Sequence, residues 1–315
     1  MFRALGPRDF NGFRLRLLAL QVACQALIVF VLFRVWSLRA AWSYLLLSAP
    51  MLFVVYTSYD LVAVAFAVVG AALVRRQQPF GGAFAFLLGA FTKIWPVVLL
   101  LSLFARRQLR ALGVAVGAGL AGIAAWSAWG GSRAIGEVLT YRGARGWQYE
   151  SLPGSILRLV TGDRLRFESG AWRVGAPAHV FTIAASVLLI GALAAIWLWA
   201  RREPAGLEGV PEAAAIIAVL VFGTLLSAQY LIWPLPFVAI AASRGARSLE
   251  RWAGAVSALT LLDWIWYDPL RPAAGRLELA IAGRNVALVG LLVVAVLELR
   301  QPPNRRHRVG SQTTV

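Results

Sequence analysis

The chain has 315 residues, of which 60% are hydrophobic and 14% are charged, and its mean hydropathy is +0.71. A soluble fold of this length cannot bury so much apolar surface, so the composition excludes a soluble protein and indicates a membrane protein. The net charge of +17 does not indicate nucleic-acid binding, because the arginines stand at the ends of apolar runs and not in one stripe with interleaved aromatic residues.

Nine apolar stretches are predicted to cross the roughly 30 Å of hydrocarbon as helices. They comprise residues 15–33, 41–56, 61–74, 112–129, 180–200, 213–226, 231–242, 252–266 and 286–297. The strands of a membrane barrel would instead show alternating polarity over about ten residues. We therefore predict an all-α fold: a polytopic transmembrane helical bundle that forms a single domain over residues 1–299. A basic, disordered cytoplasmic tail follows over residues 300–315.

Arginines in the short loops predict which end of each helix faces the cytoplasm. Lys93, the only lysine of the chain, lies in an apolar run, residues 80–105, between the arginine pairs at 75–76 and 106–107. Both pairs are predicted to face the cytoplasm, so this run must enter and leave the membrane on the same side. Three glycines and Pro96 provide the breaks that such a broken hairpin needs. An ammonium at membrane depth is costly without a partner or a wet cavity, which makes Lys93 a candidate functional residue.

The external face is predicted to carry Asp60, at the start of a helix, and a long polar loop over residues 129–177. Loops of that length are more often functional than connective. Its arginines do not reverse the topology, because long loops cross membranes largely regardless of charge. The same reasoning places residues 1–14 outside despite their arginines, and we expect that an upstream helix is missing from this chain.

Four phrases, in this order along the chain, carry a family resemblance. They are Tyr59-Asp60-Leu61, Leu88-Gly89-Ala90-Phe91-Thr92-Lys93-Ile94-Trp95-Pro96, Arg145-Gly146-Trp147-Gln148-Tyr149-Glu150-Ser151-Leu152-Pro153 and Ser227-Ala228-Gln229-Tyr230-Leu231-Ile232-Trp233-Pro234. Between residues 40 and 245 the chain resembles glycosyltransferase family 87, the GT-C-type membrane enzymes of actinobacteria. The resemblance implies an inverting hexosyltransferase of the plasma membrane that uses a polyprenyl-phosphate sugar, typically mannose, and a lipid or glycan acceptor.

Such a transfer needs a carboxylate to take the proton of the acceptor hydroxyl and cations to hold the departing phosphate. The carboxylate candidates are Asp60 and Glu150. The phosphate candidates are Lys93, Arg142 and Arg145. Candidate substrate-binding residues are Gln148, Gln229 and Tyr230. The sequence requires no cofactor, and a divalent metal stays open because no two carboxylates stand at ligand spacing.

The chain departs from the family pattern in two places. Ala228 replaces a proline, which we expect to be tolerated. The family places its catalytic aspartate in the first external loop, near a Glu-Tyr-Pro-Pro phrase that this chain lacks. Asp9 has only a superficial likeness to that aspartate, since Asn11-Gly12-Phe13 follows it. This departure agrees with the missing upstream helix.

Structural interpretations of the same residues remain open. Asp60 can cap its helix, and Lys93 can pair with Asp60 or with carbonyls freed by Pro96. Glu150 and Arg145 can form a solvated pair. A larger group can serve packing or local polar satisfaction alone: Gln229, Tyr230, Trp233, Pro234 and Pro236. Two other functions also remain: a transporter or flippase of a phosphate-bearing lipid, and an inactive remnant that binds a lipid-linked sugar.

Overall fold

The computed structural model describes residues 7–131, 136, 146–175, 179–202, 208–266 and 275–300. These residues form an α-helical bundle with a small sheet at one end. The helices are α1 (Pro7–Val35), α2 (Leu38–Ser48), α3 (Leu52–Val55), α4 (Asp60–Arg75), α5 (Pro79–Thr92), α6 (Leu101–Ala105), α7 (Leu109–Gly130), α8 (Leu152–Thr161), α9 (His179–Arg202), α10 (Val210–Phe222), α11 (Leu235–Ser243), α12 (Arg247–Ile265) and α13 (Gly275–Arg300). Short 3₁₀ helices span Ala49–Met51, Trp95–Leu100 and Ala228–Ile232.

The centre of the bundle consists of α10 and α11, whose side chains are almost all buried. The peripheral helices α7 and α9 are mostly exposed and present large apolar side chains such as Leu120 and Ile190. Exposed apolar surface of this extent is stable in lipid and not in water. The predicted all-α membrane bundle is therefore confirmed.

Four helices in the described part of the chain are long and apolar enough to cross a membrane. They are Asn11–Val35, Leu109–Gly130, Thr182–Arg202 and Gly275–Arg300. The other predicted stretches form shorter or interrupted helices, except residues 252–266, which lie in α12 behind a charged first turn. A 3₁₀ helix that contains Pro50, Ala49–Met51, separates α2 from α3, and α10 ends at Phe222, directly before Gly223.

The predicted break within residues 80–105 is present. Helix α5 ends at Thr92, Lys93 adopts an extended conformation, and the 3₁₀ helix Trp95–Leu100 returns along α5. The two arms are in close contact, since a Cβ added at Gly89 would lie 3.3 Å from the ring of Pro96. Lys93 therefore stands at the tip of a helical hairpin.

The bundle has two chemically different ends. One end, called the arginine end here, holds Glu208, which pairs with Arg75 and, at 3.3 Å, with Arg244. The opposite end, called the loop end, holds the hairpin tip, the start of α4 and the segment 146–175. Helix α4 connects the two ends, because it begins at Asp60 and ends at Arg75.

A three-stranded antiparallel sheet lies at the loop end and was not predicted. Its strands are β1 (Trp147–Gln148), β2 (Arg166–Glu168) and β3 (Ala171–Val174), in the order β1-β3-β2. Ser169 and Gly170 join β2 to β3 with positive φ angles of 51° and 81°, as a two-residue hairpin turn of type I′ requires. The sheet gives residues 146–175 a defined structure, whereas the tail after Arg300 lies outside the described residues.

Candidate functional site

Asp60 and Lys93 meet at the loop end. Asp60, the first residue of α4, is fully buried, and its Oδ1 lies 3.5 Å from the Nζ atom of Lys93. The same oxygen accepts a hydrogen bond of 2.7 Å from the indole N–H of Trp233. Asp60 Oδ2 has no hydrogen-bond partner among the described residues. One carboxylate oxygen thus positions two groups that lie far apart in the sequence.

Helix ends explain why these charges are tolerated. Asp60 stands in the first turn of α4, where the positive end of the helix dipole favours an anion. Lys93 follows the last residue of α5, where the negative end favours a cation, and its backbone N–H donates to Gly89 O. Of the side-chain surface of Lys93, 30% is exposed, whereas the side chain of Asp60 is fully buried. The ammonium is therefore the accessible half of the pair.

Three aromatic rings support the ion pair from one side. Tyr230 stacks on Trp233 with ring centroids 4.4 Å apart, and Trp233 stacks on Trp95 at 5.2 Å. The ammonium of Lys93 lies 4.9 Å from the centroid of the Tyr230 ring, within the range of a cation–π interaction. The interpretation of Trp233 as a packing residue is therefore incomplete, because its indole N–H also fixes the Asp60 carboxylate.

Glu150 forms a second charged cluster at the loop end. It lies in a tight turn in which Ser151 donates from both its backbone N–H and its hydroxyl to Gln148 O. Ser151 also caps α8 by accepting a hydrogen bond from Gly154 N at 3.2 Å. A Cβ at Gly154 would lie 2.0 Å from Gln148 O, so only glycine permits this close approach. The turn directs the Glu150 carboxylate towards Ala228, whose N–H donates to Oε2 at 3.1 Å.

Residues of α12 and α13 hold this turn in place. Arg284 is fully buried, and its Nη1 lies 2.7 Å from Asp263 Oδ2 and 3.7 Å from Glu150 Oε2. Its Nη2 donates to the backbone carbonyl of Glu150, as does the amide of Asn285. Asn285 also donates to Ser155 Oγ at 2.9 Å. The pairing of Glu150 with Arg284 replaces the solvated pair with Arg145 that the sequence left open, and Arg145 lies outside the described residues.

Burial raises the pKa of the Glu150 carboxyl above its usual range, and the Arg284 guanidinium and the Ala228 N–H oppose that effect only in part. The carboxylate nevertheless keeps 31% of its side-chain exposure. Exposed surface and a pKa that is moved towards neutrality are two properties that a proton acceptor needs.

The 3₁₀ helix Ala228–Ile232 joins the two clusters. Ala228 contacts Glu150, and Tyr230 contacts Lys93. Successive Cα atoms are 3.8 Å apart, so the Cα atoms of Ala228 and Tyr230 are separated by no more than about 8 Å. Ser227, the residue before this 3₁₀ helix, is held by a hydrogen bond of 2.7 Å that Gln148 Nε2 donates to its Oγ. The two clusters thus flank one short segment at the same end of the bundle.

The structure brings most of the predicted site residues together. Asp60, Lys93 and Tyr230 form one cluster, and Glu150 and Gln148 belong to the neighbouring one, while half-buried Gln229 lies on the segment between them. Arg142 lies outside the described residues, as Arg145 does. Among the residues that are described, no three His, Cys, Asp or Glu side chains gather as metal ligands would.

Several residues of these clusters were not in the predicted site, among them Trp233, Asp263, Arg284 and Asn285. For Arg284 a signal existed, because a charged residue beside an apolar helix is functional or paired more often than incidental. The predicted span began only after it, at residue 286. For Trp233 the sequence offered no signal beyond its place in a motif.

The fold and these clusters define a helical membrane protein that has, at one end, a buried carboxylate paired with an accessible ammonium and a second, accessible carboxylate. The model of glycosyltransferase family 87 matches residues 10–228, and the chain belongs to that family. It is therefore a membrane glycosyltransferase. No curated protein matches the chain. The family match covers Asp60, Lys93 and Glu150, whereas Tyr230, Trp233 and Arg284 lie beyond its last residue.

Proposed function

We propose that the protein transfers a mannose-like hexose from a polyprenyl-phosphate sugar to a hydroxyl of a lipid or glycan acceptor. The reaction takes place at the loop end, which faces outward from a plasma membrane that the chain crosses several times. The observation that carries this proposal is the Lys93 ammonium, which Asp60 and Tyr230 hold at the tip of a membrane hairpin while 30% of the side chain stays exposed.

Lys93 is the group that holds the donor phosphate. A lysine presents a compact positive charge, which suits a phosphate monoanion or dianion without demanding one orientation. The ion pair with Asp60 and the contact with the Tyr230 ring hold the ammonium at the tip of the hairpin. When a phosphate arrives, the ammonium can keep Asp60 on one side and accept the phosphate on its exposed side.

Asp60 is assigned a positioning role, which differs from the expectation that it is a catalytic carboxylate. Its side chain has no exposed surface, and Oδ1 is engaged by Trp233 and Lys93. A carboxylate that no acceptor hydroxyl can reach does not take its proton. Asp60 acts on the reaction through Lys93.

Glu150 is the carboxylate that takes the proton. With Oε2 held by Ala228 N, the other oxygen, Oε1, is left to face an acceptor. The acceptor oxygen forms a bond to the anomeric carbon, and the bond between that carbon and the phosphate oxygen breaks with its electron pair going to the phosphate. The hydroxyl proton passes to Glu150, and the negative charge on the leaving phosphate is stabilised by Lys93.

A single displacement with inversion places the base and the leaving group on opposite sides of the anomeric carbon. We propose that Glu150 and Lys93 take these two positions, and their contacts with different ends of the segment Ala228–Tyr230 support that proposal. Gln229, between them, is the residue that we assign to a sugar hydroxyl. We assign Gln148 a structural role next to the substrate site, because its amide already donates a hydrogen bond to Ser227. Arg142 and Arg145 remain proposed as additional phosphate ligands.

The test is sugar transfer by the purified full-length chain in liposomes that contain an extract of membrane lipids as acceptors. Polyprenyl-phosphate mannose with a radiolabelled sugar is the donor, and polyprenyl-phosphate glucose is run in parallel to define the hexose. We expect a labelled product that is lost in Lys93→Met and kept in Arg110→Met, a change of an exposed arginine at the start of α7. No transfer from either donor, or full transfer by Lys93→Met, would contradict the proposal.

A further inference from the structure

Helix α8 carries an exposed apolar face at the loop end. Ile156, Leu159 and Val160 keep 52%, 56% and 78% of their surface exposed. Their spacing of three and four residues places them on one side of the helix. A helix of ten residues whose exposed side is aliphatic has a partner or a lipid phase against that side.

The opposite side of α8 packs against α13. Ser155 Oγ accepts from Asn285 at 2.9 Å, and Arg158 Nε donates to Glu278 Oε1 at 2.9 Å. The later residue of α8, Arg158, contacts the earlier residue of α13, Glu278, so the two helices run antiparallel. Helix α8 therefore lies alongside residues 278–285 of α13.

This part of α13 has the surface of a membrane helix. Leu279, Val286 and Val293 keep 72%, 69% and 52% of their surface exposed and recur every seven residues. A stripe of large exposed aliphatic side chains along a helix that is long and apolar enough to cross a membrane is its lipid-facing side. The stripe begins at Leu279, which is level with Arg158 of α8. The apolar face of α8 is therefore at the depth at which α13 contacts lipid.

Basic residues follow directly after the helix. Gly162 ends α8 in the left-handed conformation, and Arg164 and Arg166 are both exposed in the next four residues. Aliphatic residues on a short amphipathic helix with adjacent arginines are the pattern of a helix at the boundary between acyl chains and anionic headgroups.

We infer that α8 is a lipid-binding helix, which inserts the Ile156, Leu159 and Val160 face into the leaflet at the loop end, with Arg164 and Arg166 on anionic phospholipid headgroups. The inference does not rest on the proposed chemistry. Its consequence for the site is positional: the residue before the cap of α8 is Glu150, so lipid contact by α8 holds this carboxylate at the headgroup boundary. That is the depth at which the phosphate of any lipid-linked donor lies.

The first test places an environment-sensitive fluorophore on the full-length chain. Cys24, the single native cysteine, is replaced by alanine, and Val160→Cys is labelled with a nitrobenzoxadiazole dye in phosphatidylcholine liposomes. Asp163→Cys, exposed and just past the helix, is the matched control. We expect a blue-shifted emission that bilayer nitroxide lipids quench and aqueous iodide does not quench at Val160, and the reverse at Asp163. Equal iodide quenching at both positions would overturn the inference.

The second test addresses the headgroups and the competing occupant. Adding phosphatidylglycerol to the liposomes should increase the blue shift at Val160, and the double change Arg164→Gln/Arg166→Gln should remove that increase. An increase that survives the double change would overturn the assignment of these arginines. Cross-linking between Val160→Cys chains that rises with protein density, without quenching by nitroxide lipids, would show a contact between two copies and would likewise overturn the inference.

Discussion

Asp60 and Glu150 are both acidic residues at the loop end, and both lie beside a cation and next to the same 3₁₀ segment. They differ in what surrounds them. The side chain of Asp60 has no exposed surface and contacts Lys93 and Trp233, whereas 31% of the Glu150 side chain is exposed. A carboxylate at the start of a membrane helix can thus hold a cation in place, whereas the carboxylate that we propose as the base stands on a turn that Arg284 and Asn285 hold.

The two cations also differ in side-chain exposure, and in each pair the cation is exposed where the carboxylate is buried, or buried where the carboxylate is exposed. Lys93 is the exposed member of its pair, and Arg284 is the fully buried member of the other. In each cluster one charge is buried to fix the other. On this basis we propose phosphate binding for Lys93 and proton transfer for Glu150, with Asp60 and Arg284 holding them in position.

The change with the largest expected effect on this comparison is Glu150→Gln. Glutamine keeps the shape and the hydrogen bond from Ala228 N but cannot accept a proton from the acceptor. We expect the rate of transfer at saturating donor to fall by about 10²–10⁴-fold. The matched control is Glu168→Gln in β2 of the same loop, which should leave the rate unchanged. A rate for Glu150→Gln equal to that of the control would remove Glu150 from the chemistry.

The support of Glu150 is tested by Arg284→Leu. Removal of this guanidinium leaves Asp263 as a buried charge without its partner, which costs about 3–5 kcal/mol of folding stability. We expect a clear fall in the unfolding midpoint of the detergent-solubilised chain, and a partial recovery in the double change Asp263→Asn/Arg284→Leu. Arg276→Leu, an exposed position on the same helix, is the control. Equal midpoints for the two single changes would mean that the network does not hold the turn.

The role of Asp60 is tested by Asp60→Asn. Asparagine still accepts the hydrogen bond from Trp233 but has no charge to orient the Lys93 ammonium. We expect a loss of transfer of up to about 10²-fold, the scale that a misplacement of about 1 Å produces. The loss should appear for long and short donor chains alike, since it arises at the phosphate. Wild-type turnover would show that Lys93 needs no anchor.

The smallest expected effect belongs to Trp233→Phe. Phenylalanine preserves the stack between Trp95 and Tyr230 but removes the N–H that binds Asp60, an interaction of about 1.5–3 kcal/mol for a charged acceptor. We expect a loss of transfer of roughly tenfold, smaller than that of Asp60→Asn. The control is Trp95→Phe, because the indole N–H of Trp95 has no partner among the described residues. Equal losses for both changes would indicate that only ring packing matters.

Much of the fold and part of the site followed from the sequence, for physical reasons that particular residues show. A lone lysine in an apolar run, flanked by arginines and followed by a proline, predicted the break at Lys93, because charge and helix breakers are costly in a membrane; that Lys93 is functional stays a prediction. Tyr59-Asp60 and the phrase around Glu150 were found as motifs. Asp60 and Glu150, however, were equal candidates, since exposure is a property of the packed chain.

The remaining parts depend on contacts between distant segments. Trp233 reaches Asp60 across 173 residues, and Arg284 reaches Glu150 across 134. No local pattern specifies such pairs. The sheet was missed for another reason: its strands have two to four residues, too few for alternation to be visible, and only Ser169-Gly170 marked the turn.

The most direct test of the central claim, that Glu150 and not Asp60 takes the proton, is the pH dependence of kcat/KM for wild type, Glu150→Gln and Asp60→Asn. The base must be deprotonated, and its pKa is raised by burial, so wild-type activity should fall as the pH is lowered through that raised pKa. We expect this acidic limb to disappear in Glu150→Gln and to persist in Asp60→Asn at a lower overall rate. An acidic limb that persists in Glu150→Gln and disappears in Asp60→Asn would contradict the central claim.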